Sequence, residues 1–226
     1  MFYPVHDSNP IRYLKREYVN WSIILATFLI FVVQLAMPVA LENRFFVAFG
    51  MVPGVVQGIY ADPFPLLPDK ATLVTYAFLH ADFWHVATNM LFLWVFGDNV
   101  EDAMGHARYL VFYVVCAIAA ALAHMLFNFG SSGPLIGASG AVAGVIGAYL
   151  VLYPKVRVMV IVRLIIPLPV PVPALWALGA WIGLQLVFAL IPNDDPVAWW
   201  AHIGGFIAGV ALIPLFKRRE LALFGR

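Results

Sequence analysis

Apolar stretches about as long as a membrane is thick recur along this chain, and they constrain it more than any single motif does. An α-helix rises 1.5 Å per residue, so about twenty apolar residues cross the roughly 30 Å hydrocarbon core of a bilayer. Six such stretches are predicted, at residues 21–37, 76–96, 109–129, 137–153, 173–191 and 197–216. Inside lipid, every backbone N–H and C=O must be bonded within the protein, and a helix achieves this within one segment. The expected fold class is therefore all-α, a polytopic membrane helix bundle with six transmembrane helices. Composition agrees: of 226 residues, 63% are hydrophobic and only 11% charged, with a mean hydropathy of +0.91. A soluble domain carries about 25% charged residues. The net charge of +1 is no electrostatic footprint for a nucleic-acid partner, and membrane lipid is the expected surrounding.

Orientation is read from the basic residues, which are retained on the cytoplasmic side. With the N-terminus inside, eleven of the thirteen Lys and Arg residues fall in cytoplasmic segments, and only Arg44 and Lys70 fall outside. Both termini are thus expected in the cytoplasm, with residues 1–20 as an N-terminal segment, 21–216 as the membrane domain and 217–226 as a basic tail. The first twenty residues lack the charged, apolar and small-residue pattern of a secretory signal, so their retention is expected. Residues 38–75 carry Phe45, Phe46, Phe49, Tyr60 and Phe64 and four prolines after Pro38. They are read as a structured outer loop between the first two spans, since aromatic rings sit well at headgroup depth. The four prolines of Pro167–Pro173 cannot continue a helix and mark the start of the fifth span. No internal repeat supports a transporter, and the inner halves of spans four and six offer no polar path. Cys116, the single cysteine, is read as inert packing.

Polar side chains inside a span are costly, and each is a functional-site hypothesis. The candidates are His85, Asn89, His124, Gln34, Gln185 and His202, with no carboxylate among them. Ser139 stands in Gly137-Ala138-Ser139-Gly140, where the fourth span starts from the outside. Unpaired N–H groups and the helix dipole there favour developing negative charge. His202 lies about one and a half turns into the sixth span, at matching depth. Gly140, Gly144 and Ala148 on one helix, and Ala201, Gly205 and Gly209 on the other, form small-residue faces that let backbones approach closely. A serine hydroxyl within reach of an imidazole is the minimum activated nucleophile. His85 and Asn89 are four residues apart on the second span, so they share a face at comparable depth. Both can donate to an oxyanion, as can the backbone N–H of Ser139.

Singly, these features have ordinary explanations. A serine between glycines is commonly a packing motif, a lone histidine commonly bonds a carbonyl, and a His/Asn pair can be interhelical glue. Jointly, the Gly-x-Ser-Gly at 137–140, the His-x-x-x-Asn at 85–89 and the Ala-His-x-x-Gly-x-x-x-Gly at 201–209 resemble the rhomboid family of intramembrane proteases, in its basic six-span prokaryotic form. Glu101 and Arg108 also resemble a polar pair of that family. The resemblance implies a serine endopeptidase of the prokaryotic cytoplasmic membrane that cleaves transmembrane protein substrates near the outer face. It implies a Ser139–His202 dyad with no acidic third member, an oxyanion hole from His85, Asn89 and the Ser139 N–H, and no metal or organic cofactor. The alternative is a non-catalytic rhomboid-like protein that binds transmembrane clients. Tyr149 and Tyr153 are the aromatic candidates to stack on the imidazole, with Tyr153 placed too deep. His124 is read as structural, and His80 and His106 as interfacial. The fifth span or residues 192–196 are the expected gate. A His-Glu-x-x-His zinc motif is absent.

Overall fold

The structure is a computed structural model and describes residues 2–163, 167–191 and 197–225. In chain order, a strand β1 (Phe2–Asp7) precedes helix α1 (Tyr18–Leu35) and the amphipathic α2 (Val39–Phe49). Single turns α3 (Pro53–Val56) and α4 (Thr72–Thr75) follow. Then come α5 (Phe83–Phe92), a π-helical turn at Leu93–Gly97, α6 (Asp98–Met104), α7 (His106–Phe127) and α8 (Ser139–Leu152). Strands β2 (Arg157–Arg163) and β3 (Pro167–Pro173) lead into α9 (Ala174–Leu190), and α10 (Trp199–Phe216) closes the bundle. Among the described residues, α1, α7 and α10 are long and apolar enough to cross a membrane, and α8 and α9 are shorter apolar helices.

The second apolar stretch differs from the sequence expectation at both ends. Its long helical run begins at Phe83, after separate short turns over 72–78, because the Asp82 side chain accepts the His85 N–H at 2.9 Å and caps α5 there. It then continues through the π turn to Met104. The π turn has a visible cause. Asn20 of α1 inserts its amide beside the helix, donating to Leu93 O at 2.9 Å and accepting from the Tyr109 hydroxyl at 2.8 Å. A Cβ on Gly97 would overlap that amide. A side chain that competes for a ladder carbonyl widens the local winding.

The expectation of an all-α chain omits a three-stranded antiparallel sheet of order β1-β2-β3. β2 reads Arg-Val-Met-Val-Ile-Val-Arg, rich in β-branched residues that suit a pleated surface. In β3 the prolines alternate at 167, 169, 171 and 173, while Leu168, Val170 and Val172 keep their N–H groups. Residues two apart direct their backbone groups to the same side, so every missing donor lies on the outer side of an edge strand. The prolines therefore protect the sheet from further pairing, besides delaying the start of α9.

The sheet ties the N-terminal strand to the α8–α9 connection, and the C-terminal tail returns to the same end. The Arg218 N–H donates to Ala103 O at 2.8 Å, and the Phe224 N–H to Val151 O at 2.8 Å. Both termini thus lie at one end of the bundle. The Asp7 carboxylate is buried there, accepting from the Tyr149 hydroxyl and from Asn99 Nδ2. Burial pushes its carboxyl above the ordinary value, against the opposing pull of the Tyr149 bond. Glu101 does not pair with Arg108, which is exposed. Its carboxylate accepts the Val19 and Asn20 N–H groups at 3.0 and 2.7 Å and meets His106 Nδ1. It thereby serves as a remote cap for α1, whose own N-cap position makes no side-chain bond. Its neighbour Asp102 accepts the N–H groups of Arg12, Tyr13 and Leu14 at 2.9, 2.8 and 2.6 Å. Asp102→Ala leaves three donors without an acceptor, at a cost of about 2 kcal/mol. Trypsin cleavage at Arg12, Lys15 and Arg16 is expected to accelerate in that variant while the helical core stays resistant.

α8 is the centre of the bundle, with Gly140 to Tyr149 buried throughout. It packs on α10 through bare backbone. A Cβ added to Gly205 would fall inside the van der Waals envelope of Gly140 O, and one added to Gly209 would strike Gly144 O. Gly144 in turn has Cys116 against it, where a Cβ would lie 2.5 Å from Sγ.

Candidate active site

α8 starts at Ser139, so the serine occupies the first helical turn, where backbone N–H groups have no intrahelical acceptor. The residues before it are held from below. The Gly137 N–H donates to Tyr76 O at 3.0 Å, and the Ala138 N–H to His80 Nε2 at 3.3 Å. Gly137 has φ +112°, a conformation that side chains rarely adopt, and a Cβ there would lie 2.6 Å from His85 Nε2. Glycine at 137 is required twice over, by the turn and by the imidazole packed on it. The 128–136 segment leading to Ser139 is also clipped to residues 38–75. A Met51–Leu135 bridge, Gly54 N–H to Ser131 O at 2.9 Å and Gly130 N–H to Gln57 Oε1 at 2.9 Å make the clip.

The backbone contact between α8 and α10 sets the lateral spacing of their side chains, and it brings Ser139 Oγ to 2.8 Å from His202 Nε2. His202 is 8% exposed and Ser139 half-buried. The other imidazole nitrogen, Nδ1, is 2.7 Å from Gln185 Oε1 of α9. The aromatic neighbours of His202 are Trp181, ring centroids 5.9 Å apart and tilted, and Trp199, 6.0 Å and edge-on. Neither Tyr149 nor Tyr153 is among its ring contacts. Tyr149 packs on Phe96 and Tyr153 and bonds Asp7 at the far end of the helix, because it lies almost three turns from Ser139.

Asn89 is buried, and its Nδ2 has no hydrogen-bond partner among the described residues. A buried unsatisfied amide donor is costly unless something else satisfies it. His85, one turn earlier on α5, lies against Gly137 and meets the His80 ring edge-on at 4.9 Å. His80 corrects the sequence reading. It is fully buried beneath the serine loop rather than interfacial, and Gln34 grips its backbone on both sides, at 3.0 and 3.3 Å. His124 pairs with Asn128 and lines a cavity of about 320 Å³ with Trp199 and Trp200. The expected gate at residues 192–196 lies outside the described residues.

The sequence reading left two contributors unplaced. His80 was obscured because a histidine before a helix cap looks solvent-facing. Gln185 was visible as the one strongly polar side chain of α9, but nothing in its spacing pointed to His202. The available signal was the cost of a lone amide in an apolar helix.

Fold and site together define a membrane-embedded helical protein that presents a serine hydroxyl to an imidazole at one end of a glycine-packed helix pair. The chain belongs to the rhomboid domain family, whose model matches residues 68–219. Over 150 residues it is 32% identical to the mitochondrial Rhomboid protein 1 of Saccharomyces cerevisiae, covering 62% of this chain and 40% of that one. It is 33% identical over 147 residues to the Rhomboid protease GluP of Bacillus subtilis, covering 62% and 25%. To Rhomboid-related protein 2 of Mus musculus it is 29% identical over 166 residues, covering 69% and 52%. The matched stretches thus span less than two thirds of each relative.

Proposed function

We propose that this chain is an intramembrane serine endopeptidase with Ser139 as nucleophile and His202 as general base, cleaving transmembrane protein substrates near the outer membrane face. The observation that carries this reading is the 2.8 Å approach of Ser139 Oγ to His202 Nε2 at the start of a helix. His202 takes the hydroxyl proton, Oγ attacks the scissile carbonyl carbon, and the protonated imidazole then gives its proton to the leaving amine. Water repeats the sequence on the acyl-enzyme. The oxyanion is received by the Ser139 N–H, His85 and Asn89, whose unpartnered Nδ2 supports that role. Family membership beside a relative named Rhomboid protease supports the reaction class.

In this reading the six spans are α1, the α5–α6 run, α7, α8, α9 and α10. They make up a 21–216 membrane domain, with the 1–20 segment and the 217–226 tail in the cytoplasm of a prokaryotic cell. The 14 residues of α8 reach only about 21 Å, short of the roughly 30 Å core. If its inner end is level with the membrane surface, Ser139 is sunk below the outer one, where a water-accessible cavity must serve it. Lateral access falls to α9, since a Cβ on Gly179 or Gly183 would meet nothing.

The test is a fluorophosphonate probe on the purified chain in detergent, with the adduct mapped by mass spectrometry. Labelling at Ser139 is expected. A folded protein that takes no label would move the reading to a non-catalytic client-binding role. Asn89→Ala is expected to slow turnover by about 10²–10³ at most, since it removes one of several oxyanion donors. A transmembrane substrate assayed in proteoliposomes measures this, with the thermal midpoint unchanged or raised because the lost amide had no partner.

A further inference from the structure

Gln185 sits on α9, while the serine and histidine ride on α8 and α10. It is 7% exposed, and its side chain makes two contacts of known polarity. One amide atom is 3.1 Å from the backbone oxygen of Trp181, one turn earlier on the same helix. A carbonyl oxygen only accepts, so the atom facing it is the NH2 group. That fixes the other atom, the one 2.7 Å from His202 Nδ1, as the carbonyl Oε1. An amide oxygen also only accepts, so Nδ1 carries the proton. In neutral imidazole the second nitrogen is then bare, and Nε2 meets Ser139 Oγ at 2.8 Å as an acceptor of the hydroxyl proton. The chain of polarities runs from a main-chain carbonyl to the serine with no freedom left at any step.

We propose that Gln185 is a positioning residue that locks His202 in the Nδ1–H tautomer and so aims Nε2 at Ser139. This rests on the protease reading and adds a third member to the site. An aspartate in this place would fix the tautomer and also stabilise imidazolium by its charge. A buried carboxylate beside apolar helices is costly, whereas the amide supplies orientation and tautomer without a charge. The described contacts of the Gln185 side chain are to Trp181 O and His202 Nδ1, so it acts through His202. Because it belongs to α9, displacement of that helix removes the lock while leaving Ser139 and His202 on their own glycine-packed pair.

The test uses the full chain in detergent, labelled with nitrogen-15 in the imidazoles, with His202 signals identified by their loss in His202→Ala. The wild type is expected to show a protonated Nδ1 and a bare Nε2. Gln185→Leu is expected to show a mixture of tautomers and fluorophosphonate labelling at Ser139 slowed about tenfold, a part of the 10²–10⁴ that a positioned base contributes. Gln185→Glu in its neutral acid form can give its O–H to Trp181 O and keep an accepting oxygen toward Nδ1, and should label within about twofold of wild type. An Nε2–H tautomer in the wild type overturns the proposal whatever the variants do, as does wild-type labelling by folded Gln185→Leu. Absence of labelling in the wild type would instead sink the protease reading, and the tautomer spectrum would still decide the role of Gln185.

Discussion

Ser139→Ala is expected to reduce cleavage of a transmembrane substrate to background, a loss of about 10⁶ when a serine protease loses its nucleophile. His202→Ala should fall nearly as far. The double variant should fall no further, because Oγ and Nε2 act as one unit across their 2.8 Å contact. The folded state should barely register the serine change. Oγ is half-buried at the start of α8, and its removal costs one hydrogen bond, about 1 kcal/mol net. Turnover in proteoliposomes and the thermal midpoint in detergent separate the two effects. Near wild-type turnover by either single variant would remove both residues from the proposed mechanism, whereas loss of turnover with a collapsed midpoint would show only that the site is structural.

The largest effect on stability is expected at Gly205 and Gly209. Gly→Ala in a helix interior is normally favourable by about 1 kcal/mol, because alanine loses less backbone freedom on folding. At these two positions the added Cβ collides with Gly140 O and Gly144 O, which belong to the backbone of α8 and cannot rotate away. Forced separation of the helices costs about 3 kcal/mol or more and outweighs the propensity gain. The same separation lengthens the Ser139–His202 contact, so activity should go with stability. Gly179→Ala on α9 is the matched control, since its Cβ meets nothing, and its midpoint should hold or rise. Thermal transitions of the three alanine variants in one detergent read the comparison directly. An unchanged midpoint for Gly205→Ala would mean that α8 and α10 do not pack backbone to backbone.

The sign of a glycine substitution is thus set by what the opposite helix presents, and the same distinction separates what was legible in the chain. The small-residue stripes at 140, 144, 201, 205 and 209 could be read from four-residue spacing, since periodicity within a helix is a local property. The approach of Ser139 to His202 was legible for the same reason. Two helices that each carry a stripe beside a polar residue at equal depth have few ways to meet.

Sequence alone determined the apolar helices, the breaks between them and the three motifs, because length, hydropathy and spacing act within one segment. Tertiary structure alone decided the rest. The π turn around Asn20, the sheet that gathers the N-terminal strand with β2 and β3, the buried position of His80 and the polarity chain through Gln185 each depend on groups apart in the chain. A lone amide or imidazole has several possible partners in an apolar bundle, and only the packing of the helices selects one.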